Sequence, residues 1–351
     1  MSYDLKSAVG WITAVAVVAS VFAYALSLVV TVFVETSTPV GTQLQTLTQP
    51  VILWAFFLGG EVTSNSSVVV TACLVVFVIC FIKAATANGG FRASLRSLSS
   101  GASPMTLPNW LSVMPLLASA LLLIELLLSL LQDLFGAPTG MLGTTDPAQL
   151  VPGLALAPIA EEFGFRITVL GLVTAILVAT KFGKNIATGA KVAVSTQLGI
   201  FFSAFLSPGY AKEKVGLSSI RTGGWKGISI PEWIFLVITS VVFGAYHWPL
   251  GGPGGWGPGK FLTAALSGFG LGIVYLAYGA YANILLHWFF DLNFFVFDPS
   301  VLANGALNLF GILYELGAIA LGVWGIIVVI YWIARKSSPA AIPVAYPGVQ
   351  Y

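Results

Sequence analysis

Two adjacent acids and one base stand inside an apolar run of the sequence that is long enough to cross a bilayer. They are Glu161, Glu162 and Arg166, within the run 150–180. Each ionised side chain near the centre of a membrane helix costs roughly 2.5–3.5 kcal/mol on insertion scales. On a helix, Glu162 and Arg166 share a face, whereas Glu161 is rotated by about 100° from its neighbour. The spacing therefore predicts an ion pair between Glu162 and Arg166, with Glu161 as the acid left over.

Both histidines of the chain also lie in apolar runs. His247 follows Tyr246 at the end of one run, and His287 lies in another, four residues before Asp291. His287 and Asp291 share a helix face, so the carboxylate can fix the tautomer of the imidazole. A single buried histidine is more often a satisfied core side chain. Both histidines together with these acids, on three different helices, instead predict a functional site at membrane depth.

The chemistry that suits these side chains is the activation of water. A carboxylate in apolar surroundings accepts a proton from water more readily, and a nearby imidazole can orient that water. The second imidazole, with Asp291 or Asn293, can donate hydrogen bonds to an oxyanion that forms on a scissile carbonyl group. No Ser or Cys lies in a nucleophile-elbow context, which disfavours covalent catalysis.

A metal site is the alternative use of the same side chains. His247, His287 and Glu161 would match a zinc set of two histidines and one carboxylate. The sequence contains no His-Glu-x-x-His motif, and the three ligands would come from three helices. We therefore expect no cofactor and keep zinc as the alternative.

The composition excludes soluble globular classes. The 351 residues are 57% hydrophobic and 8% charged, and the mean hydropathy is +0.94, which is typical of an integral, multi-pass membrane protein. The net charge of +2 is too small to indicate a nucleic-acid partner, so the expected partners are membrane lipid and a substrate. Cys73 and Cys80 are too far apart along one helix to form a disulfide.

The apolar runs predict an all-α fold, a polytopic transmembrane bundle of about eight helices. We expect one domain, 1–351, with a catalytic core at 110–334 and a flexible tail at 335–351. The candidate helices, some of them short for a span, are 8–34, 67–82, 110–131, 150–180, 192–206, 232–250, 261–281, 283–297 and 306–334. The run 51–60 is too short to cross and is interpreted as interfacial or re-entrant. Glu125, in the third span, is interpreted as a hydrogen-bond partner at the rim or between helices.

The charges of the loops agree with this topology only in the first half of the chain. Lys83, Arg92 and Arg96 mark an inside loop, and so do the lysines that follow the fourth span. The segment 207–230 is basic, yet alternation of the predicted spans places it outside. Either one segment is re-entrant or one span is miscounted.

Three motifs, taken together, resemble those of a known family. They are Glu161-Glu162-x-x-x-Arg166, Phe243-x-x-x-His247 and His287-x-x-x-Asp291, and in order and spacing they resemble the motifs of the CAAX prenyl protease type II family, the Rce1-like, CPBP or Abi membrane proteases. The resemblance extends over about 152–297. It implies an intramembrane endopeptidase, a helical bundle with a cavity open to one side.

The resemblance also implies roles for the motif residues. Glu161 would be the general base and His247 its partner on the water. His287 and the residue four positions later would form the oxyanion site. Glu162 and Arg166 would support them, with Arg166 pairing with Glu162 or meeting a substrate carboxylate. The substrate would be a peptide or lipidated protein, and the plasma membrane would be the location in a prokaryote.

One position departs from the family pattern. Characterised Rce1 enzymes have Asn at the last motif position, where this chain has Asp291. An ionised Asp repels an oxyanion, so Asp291 would have to be protonated or act through His287. Asn293, the remaining supporting residue, is about 200° around the helix from Asp291 and cannot simply replace it.

Two other functions fit the same composition. The first is a non-catalytic membrane scaffold or partner subunit that keeps the polar cluster as a structural network. The second is a proton-coupled transporter that uses the acids and histidines as a relay, although no inverted repeat is visible.

Overall fold

A computed structural model describes residues 5–56, 58–102, 109–140, 145–187, 193–250 and 255–334. In chain order the helices are α1 (Leu5–Ser37), α2 (Pro39–Thr46), α3 (Ser66–Thr86), α4 (Phe91–Ser99), α5 (Trp110–Leu134), α6 (Pro147–Glu162), α7 (Gly171–Ala187), α8 (Val194–Leu206), α9 (Pro208–Lys214), α10 (Ile220–Gly223), α11 (Ile230–His247), α12 (Gly259–Tyr278), α13 (Ala280–Phe295) and α14 (Gly305–Ala334). A π-helical segment (Phe163–Leu170) joins α6 to α7, and a 3-10 turn (Gly224–Gly227) follows α10.

The long apolar helices make this an integral membrane protein. Within the described ranges, seven helical runs are long and apolar enough to cross a membrane. They are α1, α3, α5, the continuous run Pro147–Ala187, α11, α12 and α14. The predicted polytopic helical bundle is therefore confirmed. The predicted tail at 335–351 lies outside the described residues.

One short element departs from the all-α expectation. The run 51–60 belongs to an antiparallel hairpin of β1 (Thr48–Ala55) and β2 (Leu58–Asn65), in which Val51 lies opposite Val62. β-branched and aromatic side chains favour extended backbone, and the hydropathy of the run gave no sign of this pairing. Beyond β1, the backbone N–H of Phe56 donates to Oγ1 of Thr168 at 3.1 Å, which attaches the hairpin to the π-helical segment.

The structure also corrects the predicted span at 192–206. α8 has 13 residues, which corresponds to about 20 Å, and a bilayer core is about 30 Å thick. α8 is too short to cross, so the segment 207–230 lies on the side where α7 ends. The Arg221 guanidinium donates to Oδ1 of Asn88, beyond α3, at 2.6 Å, which joins the two basic loops at one end of the bundle. Because α8 does not cross, the alternation of spans now places the segment 207–230 inside, in agreement with its basic charge.

A buried ion pair fixes the helices at this end. Nζ of Lys212 donates to Oε2 of Glu232 at 2.6 Å, and both side chains are buried. Oε1 of Glu232 accepts from Thr174 at 3.0 Å, and Ser229 caps α11 through the same carboxylate. The pair therefore ties α7 and α9 to the first turn of α11.

α13 lies inside the bundle. It has 16 residues, and a large hydrophobic cluster packs it against α1, α3, α5 and α6. Trp288 and Phe289 are fully buried, and the edge of Tyr24 on α1 meets both rings. This packing sets the depth and rotation of α13, and therefore the position of His287. This hydrophobic cluster joins helices before residue 110 to helices after it. The predicted catalytic core at 110–334 stays a prediction.

Candidate active site

The two adjacent acids lie where the helix changes its winding. Asp146 caps the start of α6 through Ala148 N–H, and Glu161 and Glu162 are the last residues of α6. The chain then continues as the π-helical segment Phe163–Leu170. Such wider turns inside α-helices occur frequently at functional sites. A regular α-helix was expected through these residues, so the change of winding is a difference from the prediction.

Glu162 is the centre of a buried hydrogen-bond network. Its Oε1 lies 2.9 Å from Nη1 of Arg166 and 2.7 Å from Nδ1 of His287, and its Oε2 accepts from the side-chain amide of Asn283. Nη2 of Arg166 donates to the carbonyl oxygen of Gly268 at 3.1 Å. The predicted pair of Glu162 and Arg166 is confirmed. Arg166 is fully buried, which leaves its guanidinium in this network rather than open to a substrate carboxylate.

Glu161 has the opposite character. It is 7% exposed, and its Oε2 is buried without a hydrogen-bond partner among the described residues. This oxygen lies 3.7 Å from Nε2 of His287, which is too long for a hydrogen bond. Glu161 is thus the free carboxylate, as the helical spacing predicted. Although the two acids leave the helix in different directions, both reach the same imidazole, at different nitrogen atoms.

Three carboxylates surround the imidazole of His287. Glu162 already accepts from Arg166 and Asn283, so Nδ1 of His287 donates to it. Nε2 then faces Oδ2 of Asp291 at 3.4 Å as well as Glu161. The Asp291 side chain is 22% exposed. The predicted pairing of His287 with Asp291 along α13 is confirmed, and Asp291 contacts the site through the imidazole.

The aromatic ring of Phe243 links the second histidine to this cluster. Nδ1 of His247 donates to the carbonyl oxygen of Phe243 at 2.9 Å, which leaves Nε2 as the other ring nitrogen. The Phe243 ring lies 4.7 Å from the His247 ring and 5.9 Å from the His287 ring. The Arg166 guanidinium lies 4.3 Å from its centroid. α6, α11 and α13 therefore bring the residues of the three motifs together.

The zinc alternative can be compared with this geometry. Among the residues that the structure describes, no three His, Cys, Asp or Glu side chains are grouped so that they could hold a metal ion. The choice between a site without a cofactor and a zinc site stays a prediction.

Asn293 lies away from the site. It is fully buried, its Oδ1 accepts from Ser27 at 2.8 Å, and its Nδ2 donates to the hydroxyl of Tyr314 at 2.7 Å. These contacts join α13 to α1 and α14. The position of Asn293 around α13 directs it to these neighbours rather than to Glu162 and His287, and its supporting role stays a prediction.

Two contributing residues were not assigned to the site from the sequence. Asn283, which binds Glu162, precedes His287 by four residues, and this spacing would have identified it. Glu125 on α5 accepts from the hydroxyl of Ser267 on α12 at 2.5 Å, which confirms a partner between helices. Its closeness to the site depends on the packing of α5 against α12, which the sequence does not contain.

Comparison with known proteins supports the motif assignment. Residues 144–293 match the family model described as type II CAAX prenyl endopeptidase Rce1-like. None of the curated proteins and none of the solved structures with which the chain was compared gives a significant match. The matched segment spans 150 of the 351 residues and contains all three motifs, and it supports the resemblance to the Rce1-like type II CAAX prenyl endopeptidases that those motifs predicted.

Proposed function

We propose that this protein is an intramembrane endopeptidase that hydrolyses a peptide bond near the C-terminus of a prenylated or otherwise membrane-associated substrate. The family match supports a CAAX-type protease in general. In the mechanism that we infer, Glu161 and His247 activate water without a metal. Its location in a plasma membrane remains an expectation for a prokaryotic host.

The observation that carries the proposal is the contrast between the two acids. Glu162 is bound by an arginine, an asparagine and a histidine, whereas Oε2 of Glu161 is buried and accepts no hydrogen bond from the described residues. A buried carboxylate oxygen without a partner is costly unless a ligand or water uses it. Glu161 is therefore the group available to accept a proton.

The remaining side chains suit the steps of hydrolysis. A water held by Glu161 and by Nε2 of His247 gives its proton to Glu161, and its oxygen bonds to the scissile carbonyl carbon. Nε2 of His287 donates to the oxyanion that forms. The carboxylates of Asp291 and Glu162 stabilise the protonated imidazole of His287, so that Nε2 carries the proton that it donates. When the C–N bond breaks, Glu161 returns the proton to the leaving nitrogen.

The test uses quenched peptides and purified protein in detergent. Wild-type protein should cut at least one peptide near its C-terminus, and Glu161→Gln should abolish the cleavage. A prenylated and an unprenylated version of the same peptide then establish whether the lipid contributes to kcat/KM. Wild-type protein that is inert towards a broad panel would contradict the proposal and favour the scaffold.

Two further outcomes would change the assignment. If 1,10-phenanthroline removes the activity and added zinc restores it, the reaction depends on a metal and the proposal of metal-free water activation is wrong. If the protein carries protons into liposomes under a gradient with no peptide present, transport is the better function.

A further inference from the structure

A polar cavity of about 210 Å³ lies where α5 meets the start of α12. Its wall includes one acid, Glu125, and one base, Lys260, together with the hydroxyl groups of Thr139 and Thr263. An antiparallel bridge between Gly140 and Trp256 holds the loops on its outer side. A cavity with charged groups of both signs suits an occupant that also has both signs.

Lys260 is available to an anion. Its ammonium lies 4.1 Å from the centroid of the Trp256 ring. Within the described part of the chain, no carboxylate lies within 4.0 Å of it, whereas the ion pairs of Arg166 and Lys212 are complete. Lys260 also lies in the first turn of α12, where the helix dipole favours negative charge. Lys260 therefore marks a subsite that can bind an anion at this end of the cavity.

Glu125 marks the other end. Its Oε1 accepts from Ser267, and its Oε2 has no hydrogen-bond partner among the residues that the structure describes. Ser267 follows Lys260 by seven residues on α12, which is about 10 Å along the helix axis. The two charged groups thus line one cavity at levels about two helical turns apart along α12, and no ion pair joins them among the described residues.

The cavity lies beside the cluster formed by the proposed catalytic residues Glu161, His247 and His287 and by Arg166. α11 and α12 pack closely at Gly244. A Cβ at this position would lie only 2.4 Å from the carbonyl oxygen of Phe261, so there is room for glycine alone. His247 is one turn beyond Gly244, and Lys260 precedes Phe261, so both lie at the same end of the helix pair. Ser267, which donates to Glu125, is followed by Gly268, whose carbonyl oxygen accepts from Arg166, so Glu125 also lies beside this cluster.

We propose that this cavity receives the leaving peptide, with its C-terminal carboxylate on Lys260 and its new ammonium group on Glu125. The inference rests on the proposed endopeptidase function. In the reaction the water oxygen bonds to the carbonyl carbon, and the C–N bond breaks with its electron pair on nitrogen. One proton of the water reaches that nitrogen through Glu161. The second passes from the new carboxyl group to the amine, so the leaving peptide carries both charges.

The test measures binding of the C-terminal product of a cleaved quenched peptide, synthesised with free ends, with an acetylated N-terminus, or with an amidated C-terminus. Where no peptide is cut, trileucine in the same three forms is used. Calorimetry with wild-type protein should show that each cap weakens binding about tenfold or more, because charge-assisted hydrogen bonds are lost.

The variants assign each effect to one side chain. In Glu125→Gln, acetylation of the N-terminus should no longer weaken binding, while amidation of the C-terminus still should. In Lys260→Met, amidation should no longer weaken binding, while acetylation still should. Lys214→Met removes a lysine that stacks on Tyr210 at the other end of the bundle, and it should behave as wild type. Equal binding of the three forms, or cap effects that persist in both variants, would overturn the inference. Cleavage by wild-type protein would still support the proposed function in that case. Wild-type protein that cuts no peptide would contradict the proposed function, and binding of trileucine that depends on both caps would then show a peptide-binding site without proteolysis.

Discussion

Nδ1 of His287 lies 2.7 Å from Oε1 of Glu162, and this contact joins α13 to the end of α6. The same oxygen accepts from Arg166. One carboxylate therefore orients the imidazole and neutralises the guanidinium. The two adjacent acids therefore differ, since Glu162 binds His287 and Arg166 while Oε2 of Glu161 has no hydrogen-bond partner among the described residues.

Replacing Glu162 by Gln should lower the stability of the protein strongly, while the protein that remains folded should keep part of its cleavage activity. The change leaves the buried Arg166 without a carboxylate, and breaking a buried pair in this way costs about 3–5 kcal/mol. Thermal unfolding in detergent should show a clear loss of Tm, with residual cleavage by the folded fraction. The double variant Glu162→Gln/Arg166→Met should recover part of the loss. A single variant as stable as wild type would show that the pair contributes little.

Asp291 should tolerate a change that keeps its hydrogen-bond acceptor. Asp291→Asn retains an oxygen that can accept from Nε2 of His287, so kcat/KM should stay within about tenfold of wild type. Asp291→Ala removes the acceptor and should lower kcat by about 10²–10³-fold, the range seen when oxyanion stabilisation is disturbed. Steady-state kinetics on one peptide compare the two. Equal losses in both variants would show that the charge itself is required.

The ring of Phe243 should matter for the rate rather than for substrate affinity. It contacts both imidazoles and the Arg166 guanidinium, so Phe243→Leu should displace all three. A displacement of about 1 Å can lower kcat by about 100-fold with little change in KM. Phe201→Leu, which removes a ring that packs on Phe202 and Phe205 in α8, is the matched control. Similar kinetics for the two variants would count against a positioning role.

Lys212 should contribute to stability alone. Its pair with Glu232 lies at the end of the bundle formed by the basic loops, so Lys212→Met should lower Tm and leave KM unchanged in the folded fraction. The expected loss is again about 3–5 kcal/mol, because Glu232 stays buried without its cation. Lys214→Met, at an exposed neighbouring position, should leave Tm unchanged. A large change in KM for Lys212→Met would indicate that this end takes part in substrate binding.

The sequence predicted those parts of the site that depend on spacing along one helix. The pairs of Glu162 with Arg166 and of His287 with Asp291 follow from a separation of four residues, and the long spans follow from hydropathy. The contact of both acids with one imidazole depends on how α13 packs against α6, which no local pattern encodes. Asn293 lies only two residues from Asp291, but the helical rotation turns it towards Ser27 and Tyr314.

The predicted span at 192–206 and the unpredicted hairpin have a common physical origin. Hydropathy measures how apolar a run is, and it reports neither strand pairing nor the residue at which a helix ends. The run 51–60 is too short to cross, and only the structure shows that it pairs with the segment that follows it. α8 ends after 13 residues, which is too short for a span.

The central claim is that the carboxylate of Glu161 accepts the proton of the attacking water. Its most direct test is the ratio of kcat/KM between wild type and Glu161→Gln on one quenched peptide, with equal Tm showing that both are folded. The account predicts a fall of about 10²–10⁴-fold, the usual contribution of a general base. A variant that keeps its activity within a few fold of wild type would contradict it.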